Sequence, residues 1–156
     1  MRPDVSEQLD GLRQILERVI APELHDPYPL DILAGVTATL ETLSTAWRQV
    51  PAFLSWDSEM SAALLRQVLT SDVELDDAVD DKVRAVVLED APDPSDVAAL
   101  EARNQRVREA LSAAMPTIME AGELRELRTY LAAHLRERAN RYPLKTVWRP
   151  AGAPAN

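Results

Sequence analysis

The chain has 156 residues, 46% of them apolar, with 17 Lys and Arg against 26 Asp and Glu for a formal net charge of −9, and no cysteine. That length predicts a single domain with a self-sufficient core, and the missing cysteines exclude disulfides, Cys-ligated zinc, iron–sulfur clusters and thiol catalysis. Four glycines, none in a Gly-x-Gly or P-loop arrangement, and two histidines, His25 and His134, remove most remaining catalytic signatures.

Apolar spacing is helical nearly everywhere and never alternates with period two over strand length, so the sequence predicts an all-α fold: a mostly antiparallel bundle of about six helices. In the first helix Val5, Leu9, Leu12, Leu16 and Val19 recur at steps of four and three, with Asp4 and Glu7 in a capping-box pattern and Pro22 at its end. The Asp26-Pro27-Tyr28-Pro29 turn precedes a second helix from about Leu30 to Val50, whose predicted buried stripe is Leu33, Val36, Leu40, Leu43, Trp47 and Val50. A third helix follows Pro51 with Trp56, Met60, Leu64 and Val68 inward, and fades at Thr70-Ser71-Asp72. The fourth, about Leu75 to Glu89, turns Leu75, Val79, Val83 and Val86 inward.

Asp93 reads as the N-cap of the fifth helix, with Pro94 at its first position. Val97, Leu100, Asn104, Val107, Leu111, Ala114 and Ile118 form its stripe, and Pro116 predicts a kink. Gly122 is a natural C-cap. The last helix presents Leu124, Leu127, Leu131, His134 or Leu135, and Arg138 or Ala139 before Tyr142-Pro143. Val147 and Trp148 are expected to lie against the bundle, giving one helical domain over residues 1–149 and a disordered tail over 150–156.

Charge is distributed unevenly. Residues 72–101 hold 2 basic and 11 acidic side chains, whereas residues 102–156 hold 10 and 5. Solvated helix faces account for such runs; a complementary surface for a second copy or a partner is the functional alternative. The overall acidity opposes nucleic-acid binding, and no short helix-turn-helix with a basic recognition helix is present. The polar, amphipathic N-terminal stretch lacks a signal-peptide apolar region and no run approaches membrane-spanning length, so a cytoplasmic protein without membrane contact is expected. Arginine exceeds lysine 15 to 2, a bias that points to a GC-rich, bacterial coding sequence.

Motifs that would carry chemistry fail at defined positions. Asp72-x-Glu74-x-Asp76 has the alternating carboxylates of a calcium loop, but Asp77 and Val83 stand where glycine and a bidentate glutamate are required. Glu-x-x-His is absent, because Pro22 and Leu131 lie three residues before His25 and His134. No Gly-x-Ser-x-Gly elbow supports a triad, and His134, at the edge of an apolar stripe, reads as a boundary histidine. No metal or cofactor is expected. The best ligand-pocket candidate is the corner where Trp47, Arg48, Phe53, Trp56 and Asp57 gather aromatic walls around opposite charges; a packed interhelical joint is the alternative. The expected function is therefore non-catalytic: protein–protein contacts, as a homo-oligomer or as an accessory to an enzyme, with ligand binding or catalysis at the Trp47/Trp56 corner as the second reading.

Overall fold

A computed structural model of the chain describes residues 4–143. The fold is all-α, with six α-helices among the described residues: α1 (Val5–Ile15), α2 (Pro27–Trp47), α3 (Val50–Leu69), α4 (Asp77–Leu88), α5 (Val97–Glu120) and α6 (Arg125–Arg141). They fall into two compact units, one formed up to Val50 and the other over Pro51–Tyr142. The predicted tail from 150, and Val147 and Trp148, lie outside the described residues.

The first unit is a helical hairpin. Asp4 starts α1 with a reciprocal capping box: its carboxylate accepts the Glu7 amide at 2.7 Å and the Glu7 side chain accepts the Asp4 amide at 3.0 Å. α1 runs into a π-helical turn, Leu16–Ile20, and a 3-10 turn, Ala21–Glu23, that holds Pro22. The Asp-Pro-Tyr-Pro segment does more than close this helix. Asp26 accepts the Tyr28 amide at 3.1 Å as the N-cap of α2, and Pro27 takes the first helical position, where a missing N–H costs nothing. Across the hairpin Ser44 Oγ donates to the Ser6 carbonyl at 3.4 Å and Arg48 pairs with Asp10 at 3.2 Å.

Burial in this hairpin departs from the predicted stripes. Val5, Leu12 and Val19 are exposed by 41%, 53% and 58%, and Val36 by 44%. Leu9, Leu16, Leu33, Leu40, Leu43 and Trp47 are only half-buried. Two helices offer each other one seam, which is too narrow to cover aliphatic stripes this broad.

The second unit holds the core. Leu65 and Val68 of α3, Val83 and Val86 of α4, Val107, Ala110, Leu111, Ala114 and Ile118 of α5, and Leu124, Leu127 and Leu131 at the start of and along α6 form one buried cluster. Here the predicted stripes of α4, α5 and α6 hold. α3 keeps two of its predicted inward residues, Leu64 and Val68, buried, but Met60 is 43% exposed and Trp56 only half-buried, while Phe53, Leu54, Asp57, Ser58, Ser61 and Leu65 also turn inward.

Two helix ends also differ. Asp93 caps a turn instead of the helix, since its Oδ1 accepts the Ser95 amide at 2.8 Å and the Ser95 hydroxyl at 2.7 Å; Asp96 then caps α5 through the Ala99 amide at 3.0 Å. α5 ends at Glu120 with Ala121 as its C-cap, and Gly122 opens a 3-10 turn, Gly122–Leu124. The last carbonyls of α5 are held by Arg128, whose Nη1 donates to those of Ile118, Met119 and Ala121 at 2.8–3.1 Å. A side-chain donor thereby does the work that a left-handed glycine would otherwise do.

Candidate functional site

Polar residues at i, i+4 spacing on three helices of the second unit converge on one point. Asp57 and Ser61 share the inner face of α3, Asn104 and Arg108 share a face of α5, and His134 and Arg138 share a face of α6. Asp57 has no exposed surface. Its Oδ2 accepts from Arg138 Nε at 3.0 Å and from Asn104 Nδ2 at 2.9 Å, and Asn104 also reaches Ser58 Oγ at 3.1 Å. An unpaired carboxylate at this depth would cost several kcal/mol, so the guanidinium and the amide are conditions of its burial.

His134 is buried beside the same carboxylate. Its Nε2 stands 3.1 Å from Ser61 Oγ and 3.2 Å from Asp57 Oδ1, while Nδ1 has no hydrogen-bond partner. Burial pushes the imidazole pKa below its ordinary 6.5, against the pull of the Asp57 charge and hydrogen bond and with help from the Arg138 charge. A neutral ring with its hydrogen on Nε2 can donate it to Ser61 Oγ, while Asp57 Oδ1, 3.2 Å away, has no hydrogen-bond partner among the described residues. The arrangement is not a Ser–His–Asp relay, because a relay places the serine and the carboxylate on opposite ring nitrogens and here both meet the same one.

Of the five predicted ligand residues, Phe53, Trp56 and Asp57 lie in the second unit, while Trp47 and Arg48 belong to the hairpin, where Arg48 pairs with Asp10. Phe53 and Trp56 sit 6.1 Å apart and are joined by residues of α6 and its C-cap: Tyr142 lies edge-on to Phe53 at 5.5 Å, and His134 is 5.1 Å from Trp56. Arg138 lies over the Phe53 ring at 5.8 Å and Arg141 over Trp56 at 4.6 Å. These ring contacts link α3 to α6 and its C-cap. Asp57 alone of the five lines a half-enclosed cavity of about 90 Å³, together with Ser61, Arg108, Ser112, His134 and Arg138 on its polar side and Leu111, Met115 and Leu135 on its apolar side. Arg108 and Ser112 also border an open groove along α5.

A second candidate feature is the open face of the hairpin. At about 100° per residue, Val5, Leu12 and Ile15 fall on one flank of the α1 seam, exposed Val19 following in the π turn, and Tyr28, Ile32 and Val36 fall on one flank of the α2 seam. Because the helices run antiparallel, the two flanks lie on the same side. All seven side chains are 41–72% exposed. Gln8, Gly11, Thr39 and Leu43 share that side by phase; Glu7, Asp10, Arg13 and Glu17 of the α1 region and Asp31 and Glu41 of α2 point elsewhere. The result is a broad, largely apolar surface, with exposed Arg18 at its margin beside Gly11 by phase.

Other sequence features stay at the surface. His25 is exposed, as is most of the acidic run from Asp72 to Asp81. Glu89 joins the acidic and basic segments through its ion pair with Arg106, whose hydrogen bond holds the Glu89 carboxyl below its usual pKa. Among the described residues, no group of three or more His, Asp or Glu is placed to hold a metal ion, and no helix is long and apolar enough to cross a membrane. No family model, no curated protein and no solved structure matches the chain.

Proposed function

We propose that the protein acts through protein–protein contacts, and that its N-terminal hairpin pairs with the hairpin of a second copy to complete a four-helix arrangement. The observation that carries this reading is the largely apolar side of α1 and α2, whose large hydrophobic side chains stay 41–72% exposed. Solvent-facing helix flanks ordinarily carry charge, and contiguous apolar patches of this breadth mark interaction sites. Seven such side chains, with Ile20 beside them, present apolar surface on the order of 700 Å², close to the roughly 800 Å² per partner that a stable interface buries. Depletion of charge at the centre, with charged residues displaced to the edges, is also the composition of an interface core.

Sedimentation equilibrium at micromolar concentration tests the reading. The expected result is a dimer that becomes monomeric on Leu12→Glu or Val36→Glu, while Leu88→Glu, which alters an 81% exposed side chain of the second unit, leaves the dimer intact. A strict monomer for the unmodified chain would overturn it, as would a dimer indifferent to both hairpin substitutions.

A further inference from the structure

The cavity beside Asp57 and His134 is lined by two guanidiniums and one carboxylate. Arg138 spends its Nε on that carboxylate. Arg108, on α5, makes no ion pair among the described residues; the cavity lining holds no second carboxylate to match it, Glu101 and Glu109 lining the neighbouring groove instead. The remaining titratable group of the lining, His134, is held neutral near pH 7 by its burial. One surplus positive charge matches one negative charge in a ligand.

Size and wall chemistry narrow the class. A volume of about 90 Å³ is the space of roughly three waters, or of a molecule with about four to six non-hydrogen atoms. That is too small for a nucleotide or a cofactor, whose pockets run several-fold larger. One wall is aliphatic, formed by Leu111, Met115 and Leu135, and it would be left against water or a fully polar ion by phosphate or sulfate. A dianion would also leave one charge unmatched.

We propose that this cavity binds a short-chain monocarboxylate, with its carboxylate on Arg108 and the Ser112 hydroxyl and its alkyl body on the Leu111, Met115 and Leu135 wall. Arg138 stays committed to Asp57 and sets the depth of the site. The proposal is independent of hairpin pairing, since every lining residue belongs to the second unit.

Titration of the isotope-labelled full chain with propionate, read by NMR at the His134 ring and at the indole of Trp56, whose ring lies 5.1 Å from it, tests the site. Saturable shifts centred on these two groups are expected, with a dissociation constant in the millimolar range or tighter, as a ligand of so few atoms permits. Propionamide, which has the shape without the charge, should bind at least tenfold more weakly. Arg108→Ala should also weaken propionate at least tenfold while leaving the spectrum of the core unchanged, because the side chain is exposed and unpaired; Arg108→Lys should restore part of the affinity. The proposal fails if propionate gives no saturation, if the amide or inorganic phosphate binds as well as propionate, or if Arg108→Ala responds like the unmodified chain.

Discussion

The hairpin and the four-helix unit use the same aliphatic rhythm with opposite results. Leu12 in α1 and Leu65 in α3 each belong to a run of apolar residues at three- and four-residue steps, yet Leu12 is 53% exposed and Leu65 is fully buried. The difference is the number of neighbours that the chain supplies. α3 meets apolar faces from α4, α5 and α6, whereas α1 has α2 and a single seam. Periodicity specifies that a helix has an apolar side; whether that side is covered depends on how many other helices the same unit contains.

The largest expected effect sharpens this contrast. Leu65→Ala should lower unfolding stability by about 2–5 kcal/mol, since it opens a cavity in packed surroundings, while Leu12→Ala in a monomeric background should cost less than about 0.5 kcal/mol. Denaturant unfolding of both variants would measure the gap, and equal losses would break the comparison. A smaller effect is expected where the second unit buries charge. Arg138→Ala leaves the Asp57 carboxylate with only Asn104 and His134, and should cost about 2–3 kcal/mol, toward the low end for a broken buried pair because the Arg138 side chain is partly wet.

The smallest effect is a pH dependence. His134 has a folded pKa below its unfolded value near 6.5, so the unfolded chain binds the proton first as pH falls. Its contribution is therefore present in full above about pH 6.5 and drains away below it until the folded pKa is passed, with a slope of at most about 1.4 kcal/mol per pH unit. Thermal melts between pH 7.5 and 5.5 should show the midpoint falling, and His134→Gln should flatten that fall. Identical slopes in the two proteins would remove His134 from the account.

Much of the second unit is legible in the sequence, and the reason is local. The stripes of α4, α5 and α6 are regular, and Asp4 with Glu7 announces the first helix through chemistry confined to four residues. α3 is harder to read because its true inner face carries Asp57, Ser58 and Ser61, polar residues that a search for apolar stripes passes over in favour of Trp56 and Met60. The signal was available: Leu54, Asp57, Ser61, Leu65 and Val68 also follow steps of three and four. Reading it as a buried face requires knowing that Asn104, His134 and Arg138, from helices distant in sequence, will supply the compensating hydrogen bonds and charge. Asp93 misleads for a similar reason, since a carboxylate that closes the Asp93–Ser95 turn cannot also cap a helix.

The π turn at Leu16–Ile20 has a consequence for any variant that alters chain length. A π turn accommodates about one residue more than an α turn, which retards the helical phase by roughly 100° and carries Ile20 away from the α1–α2 seam toward the side of Val19. Removing one residue from this segment would restore an ordinary α turn and swing Ile20 back against α2. The extra residue acts as a spacer, setting how far the greasy strip continues past Ile15 before the proline corner interrupts it.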